Sequence, residues 1–367
     1  MKKPSKQIRS TLLNALVIVG TIAIVIYLGA RNGDIGGSID SILHSDWQWL
    51  LIGVGVWAIS IFCEALINQL FFIWQKVNIR IFSTVHITLL GMFYSNVTPA
   101  ATGGQPMQVF AFKKRGVPVG VSSSSLAVKF FCFQAALLSA GAVLWLTQQD
   151  FVNAAVGSGK WLIFAGFGIN GLSVAAVLLI AINRDFVRLI IISIMKLGHR
   201  LRLVKDLAAS TSRADAALND FSVSVDMVVH HPFQLMMLLL FSYLQLAFLM
   251  SASYCVYRAL GLSGESPLHL LTLQLLLFIA ASFTPLPGAS GVQEGGFALF
   301  FHAIFPDHLM LSGLLLWRAV TYYLALLIGL CPVIFESARS LRINRRHGQE
   351  NRSNAEDTVP VSEENDS

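Results

Sequence analysis

The chain has 367 residues, of which 55% are hydrophobic and 13% charged, and its mean hydropathy is +0.65, the balance of a polytopic membrane protein. Its formal net charge of +6 would suggest nucleic acid if the basic residues formed one domain, but they lie in short segments between apolar runs, which excludes that partner and reports membrane orientation instead. Cys63, Cys132, Cys255 and Cys331 all lie in apolar runs without CxxC spacing, and the nine His show no ligand pattern, so packing cysteines and no metal or cofactor are expected.

In chain order, Lys2, Lys3, Lys6 and Arg9 precede a first apolar run at 11–30. Its 20 residues exceed the roughly 7–15 of a signal-peptide core, which predicts a retained span. Further spans are predicted at 47–74, 119–147, 160–182, 233–259 and 309–335, with Trp47, Trp49 and Trp74 as interfacial anchors of the second. The apolar segments 81–112 and 267–305 are each interrupted, by Thr98-Pro99-Ala100-Ala101-Thr102-Gly103-Gly104-Gln105 and by Thr284-Pro285-Leu286-Pro287-Gly288-Ala289-Ser290-Gly291-Val292-Gln293. Pro removes a backbone donor and Gly permits tight turns, so each segment is predicted to be a re-entrant hairpin of two half-helices. Lipid cannot satisfy the freed backbone groups, so such breaks belong in protein or beside a wet cavity, and paired breaks in two halves point to a transporter's binding site.

Residues 183–231 mix charged and apolar residues, with Ala214, Ala217, Leu218, Phe221, Val225 and Val228 at helical spacing and Ser212 with Asp215 as a capping pair. This predicts a cytoplasmic interfacial linker, too short for an ordinary catalytic domain. The membrane domain is expected to occupy 1–345, and 346–367 to form a disordered acidic tail.

Of the 26 Lys and Arg residues, this topology places 21 on the cytoplasmic side, three outside (Arg31, Lys160, Arg258) and two within spans (Lys129, Arg318). Both termini are then cytoplasmic, and the units 47–147 and 233–335 cross in opposite senses with their hairpins entering from opposite faces. The expected architecture is all-α: about six full spans plus two re-entrant broken-helix hairpins arranged as inverted repeats, tip to tip near the midplane.

Four ionisable residues fall in or beside the membrane core: Glu64, Lys129, Glu294 and Arg318. Charge there costs at least about 2.5–3.5 kcal/mol, so it turns inward and finds a partner or water. Lys129 lies 24 residues after Gln105 and Arg318 lies 25 after Gln293, which makes the cations near-equivalents. One reading is an anion site in which free half-helix amides converge on a phosphate, with Lys129 and Arg318 supplying charge. Gly103, Gly104, Gly288 and Gly291 would let backbone approach the phosphate, and Gln105, Gln293, Thr98, Pro99, Glu64 and Glu294 complete the candidate substrate-binding set. The alternative reading is structural: Glu64 pairs with Lys129 and Glu294 with Arg318 as buried bridges. Thr98 and Thr284 most simply satisfy the broken backbone, and Ser122 to Ser125, Gly166, Gly168 and Gly171 read as close helix packing. His86 and His302, in the hairpin arms, suit a polar wall as well as a proton relay.

Pro99 with Gly103-Gly104-Gln105, the following Lys113-Lys114-Arg115-Gly116, and Pro287-Gly288-Ala289-Ser290-Gly291-Val292-Gln293-Glu294 resemble the two signatures of the lysylphosphatidylglycerol synthase transmembrane domain family, also described as flippase-like or as an uncharacterised inner-membrane family. The resemblance covers about 10 to 340. It implies a bacterial or archaeal cytoplasmic or inner-membrane protein related to the domain that moves aminoacylated phosphatidylglycerol between leaflets. Family members often carry an acidic residue where Gln105 stands and an arginine where Gln293 stands, so both half-sites are less charged here. The resemblance includes no soluble aminoacyltransferase domain, and synthesis of a modified lipid is not implied.

The leading functional expectation is a translocase for an anionic or modified phospholipid or a polyprenyl-phosphate-linked lipid, performing transport rather than chemistry and with no catalytic residues. A membrane-embedded transferase or an accessory subunit beside a lipid-modifying enzyme is the second reading, with Glu64 and Glu294 as its candidate acid and base. A secondary transporter of a small anion is the third.

Overall fold

A computed structural model describes residues 35–182 and 230–336, apart from position 283, together with scattered positions between 183 and 229. The expected first span, most of the 183–231 linker and the acidic tail lie outside the described residues. Among the described residues the fold is all-α with no strand. Among the described residues, four helices are long and apolar enough to cross a membrane: Trp47–Trp74, Val119–Thr147, Pro232–Ala259 and Asp307–Glu336. Large apolar side chains such as Phe82, Leu146 and Leu327 stand on the outer surface, as lipid-facing residues do. The chain is a polytopic membrane protein.

The elements are α1 (Ile35–Leu43), α2 (Trp47–Trp74), α3 (Ile81–Val97), α4 (Gly104–Lys113), α5 (Val119–Thr147), α6 (Gln149–Val156), α7 (Lys160–Ile182), α8 (Pro232–Met250), α9 (Ala252–Ala259), α10 (Pro267–Ala281), α11 (Val292–Phe301) and α12 (Asp307–Arg318). Beyond α12 a π-helical turn, Ala319–Tyr323, leads into further α-helix up to Glu336. Local chemistry sets the starts. The Asp46 carboxylate accepts from the Gln48 amide at 2.9 Å to cap α2, and Ser266 Oγ accepts from the Leu268 amide at 3.2 Å with Pro267 in the first turn of α10. α5 and α12 each begin directly after a proline, Pro118 and Pro306.

The two breaks are built alike. α3 ends at Val97 and a tight turn, Pro99–Ala101, precedes α4; α10 ends at Ala281 and the turn Pro287–Ala289 precedes α11. In each turn the two residues after the proline are left-handed: Ala100 and Ala101 at φ 49° and 54°, Gly288 and Ala289 at 60° and 51°. The next residue closes each turn twice over. Thr102 donates its amide to the Pro99 carbonyl at 3.2 Å and its hydroxyl to the same oxygen at 2.9 Å, and Ser290 does the same to Pro287 at 3.2 and 2.9 Å. Pro99 and Pro287, Gln105 and Gln293, and Pro118 and Pro306 are each 188 positions apart. The turns pack directly against each other, so the hairpin tips meet.

α2 packs against α8 and α9 and joins the halves, with α5 against α8 and α10 beside it. One apolar core gathers Phe71, Phe72, Phe112 and Leu126 of the first half; a larger one gathers Leu273, Phe297, Phe301 and Trp317 of the second. Hairpin arms approach closely. A Cβ on Gly104 would stand 2.8 Å from the Gly91 carbonyl oxygen, and one on Gly166 of α7 would stand 2.5 Å from the Ile279 carbonyl oxygen of α10. Asn170 Nδ2 donates to that oxygen at 3.2 Å, so α7 satisfies a carbonyl in the last turn before the second break. Three of the four cysteines are buried as expected. Cys331 is the exception: its face of the last span is exposed, so it is a surface rather than a core thiol.

Candidate functional site

The hairpin tips, together with α2, α5, α8 and the last span, line an open cavity of ≈ 380 Å³. Six of the twelve residues singled out from the sequence line it: Glu64, Gln105, Lys129, Gly288, Gln293 and Arg318. Gln105 and Gln293 occupy the second positions of α4 and α11, so equivalent first turns reach the cavity from the two halves. By helix geometry their amides have no intrahelical acceptor.

The other six hold the frame. Thr98 Oγ1 donates to the Tyr94 carbonyl at 2.6 Å and accepts from the Gly103 amide at 2.8 Å, bridging the end of α3 and the start of α4. A Cβ on Gly103 would press within 2.6 Å of Thr98 Cγ2. Gly104 is buried against Ser95 and Gly91 rather than open to the cavity, and Pro99 starts the exposed turn. Gly291 takes φ 87°, which a β-branched residue cannot adopt without strain. Its amide donates to Glu294 Oε2 at 2.6 Å. This is a correction to the expectation of free tip amides: those of Gly103 and Gly291 are already bonded within the tips.

Both intramembrane cations are paired. Lys129 Nζ lies 2.6 Å from Glu64 Oε1 and donates to Gln108 Oε1 at 3.4 Å, while Glu64 Oε2 accepts from Gln245 Nε2 at 3.3 Å. This pair keeps some contact with the cavity, the side chains being 12% and 19% exposed. The other pair is sealed: Arg318 Nη2 lies 2.7 Å from Glu294 Oε1, with side chains 2% and 0% exposed. The closeness makes this a charge pair, but its angle falls short of a hydrogen bond, and Arg318 Nε and Nη2 and Glu294 Oε1 have no hydrogen-bond partner among the described residues. Arg318 Nη1 donates to the Gly288 carbonyl at 3.3 Å, and the guanidinium lies over the rings of Trp317 and Tyr322. Arg318 is therefore neutralised in charge, and its Nε is left without a hydrogen-bond partner among the described residues.

Sequence reasoning missed the neutral lining. Asn96, Gln245, Gln274 and Tyr322 all face the cavity, and Tyr322 also lies against Gly288, where a Cβ would collide with its ring. The available signal was a lone amide in an apolar run, as in Leu-Gln-Leu at 244–246 and at 273–275, since a polar group there needs a partner as a charge does. His86, expected in a hairpin arm, lies apart from the cavity, 3.3 Å from Glu336 Oε1, which also meets Arg115 Nη2 at 2.6 Å; His302 is exposed. No group of three or more metal-ligating side chains occurs among the described residues.

Residues 12–329 match the lysylphosphatidylglycerol synthase transmembrane region. The chain belongs to that family. A UPF0104 membrane protein of Archaeoglobus fulgidus is 24% identical over 318 residues, covering 81% of this chain and 92% of the relative. The match to the lysylphosphatidylglycerol synthase transmembrane family takes in both broken hairpins and all four intramembrane charges, so the cavity lies wholly within the shared region.

Proposed function

We propose that this chain is a lipid translocase of a bacterial or archaeal cytoplasmic membrane, with both termini cytoplasmic and the halves 47–147 and 233–335 related as inverted repeats. The headgroup of an anionic phospholipid or polyprenyl-phosphate-linked lipid enters the cavity while its hydrocarbon chains stay in the bilayer. One observation carries this reading: the cavity lies where two equivalent broken hairpins meet and is lined by Arg318, whose Nε has no hydrogen-bond partner among the described residues. A phosphate oxygen suits that nitrogen, and the first-turn amides of α4 and α11 add donors with the positive ends of two helix dipoles. The transferase reading is weaker, since both candidate acid-base groups, Glu64 and Glu294, are held in ion pairs.

The test separates a bridge from a contact. Arg318→Met combined with Glu294→Gln removes both buried charges and keeps an acceptor for the Gly291 amide. The expected result is a folded protein that no longer retains phosphatidylglycerol during purification. Undiminished retention by that stable double variant would contradict the role given to Arg318.

A further inference from the structure

The cavity lining also holds buried acceptors that a phosphate does not use. Gln245 on α8 and Gln274 on α10 line the cavity at 8% and 5% exposure, and Oε1 of each is buried without a hydrogen-bond partner among the described residues. The other end of Gln245 fixes its orientation. Nε2 donates to Glu64 Oε2 at 3.3 Å, and turning the amide over would set its oxygen against that carboxylate. Oε1 is thus an acceptor without a donor, and a buried group of that kind calls for a donor from a ligand.

Charge decides which donor. Glu64 is engaged by Lys129 at 2.6 Å, and Glu294 is sealed behind Arg318 and does not line the cavity, so no unpaired carboxylate awaits an ammonium group. With Lys129 paired to Glu64 and Arg318 to Glu294, neither pair leaves a net charge, so the cavity offers no free anion to an ammonium group and tolerates a neutral hydroxyl. We infer that the cavity selects a phosphodiester lipid with a neutral, hydroxyl-bearing headgroup, its phosphate toward Arg318 and its hydroxyls donating to Gln245 and Gln274. This rests on the headgroup site proposed above and adds its chemistry.

Three lipids test it on the purified full-length chain in nanodiscs. Phosphatidylglycerol and phosphatidylmethanol carry the same single negative charge and differ in the headgroup hydroxyls; phosphatidylethanolamine offers an ammonium instead. A site built around hydroxyl donors discriminates against the analogue that lacks them, so phosphatidylglycerol should bind at least about tenfold tighter than phosphatidylmethanol. Gln274→Leu, in a residue bonded to neither ion pair, should reduce that advantage to near unity with thermal unfolding not lowered. Gln245→Leu supplies a second variant. Equal binding of the two anionic lipids, tighter binding of phosphatidylethanolamine, or an advantage unchanged in both variants would overturn the inference and leave the headgroup site standing. If neither anionic lipid binds, the headgroup site falls with it.

Discussion

At the scale of the residue, the two ion pairs have near-equivalent cations and unlike settings. Lys129 and Glu64 stand at the cavity wall, where water can solvate whichever partner is left alone. Arg318 and Glu294 are sealed, so removing one strands a buried charge, which costs about 3–5 kcal/mol. Arg318→Met should therefore destabilise the chain by about that amount, Lys129→Met by clearly less, and Glu294→Gln added to Arg318→Met should recover most of the loss. Equilibrium unfolding of the four proteins in one detergent checks the order; equal losses for the two single variants would contradict it. The charges were legible because an ionisable residue in an apolar run is conspicuous and costly. Gln245 and Gln274 were not, since a neutral amide in a long apolar helix has many ways to be satisfied and only the packed neighbours show that these two oxygens are not.

At the scale of the element, the breaks depend on short hydrogen-bonded clips. Thr98 ties the end of α3 to the start of α4 through one hydroxyl, while in the second tip the Glu294 carboxylate caps the start of α11 by accepting from the Gly291 amide. Thr98→Val keeps the shape and removes the hydroxyl, so it should lower stability by about 1 kcal/mol, the usual size of a lost helix cap, and Thr98→Ser should restore it. Unfolding midpoints check this, and equal midpoints for Val and Ser would remove the clip from the account. The expected spans 47–74 and 119–147 coincide with α2 and α5, because a long apolar run allows few other lengths. The break points were legible from Pro and Gly chemistry. The short helices α1 and α6, the interruption at Ser251 and the π-helical turn after Arg318 were not. Each depends on packing: α1, for example, lies against α12, where Ser312 Oγ donates to the Ser38 carbonyl at 3.1 Å.

At the scale of the whole molecule, the charge distribution and the repeated break support the proposed inverted topology. Lys113 and Asp307 are both exposed, near the ends of the two hairpins, and the proposed inverted repeats would place them on opposite sides of the membrane. In a background without the four native cysteines, an impermeant thiol reagent applied to intact cells should label Asp307→Cys and reach Lys113→Cys only after permeabilisation. Labelling of both from one side would contradict the inverted arrangement. The central claim is movement of an unaltered lipid, and the direct measurement is leaflet exchange in vesicles. Purified protein should speed the transbilayer equilibration of labelled phosphatidylglycerol over protein-free vesicles, with mass spectrometry finding the lipid chemically unchanged. The stable Arg318→Met/Glu294→Gln variant should lose that acceleration. Vesicles in which the folded wild-type protein leaves exchange at the protein-free rate, or yields a new lipid species from a donor substrate without exchange, would contradict the account.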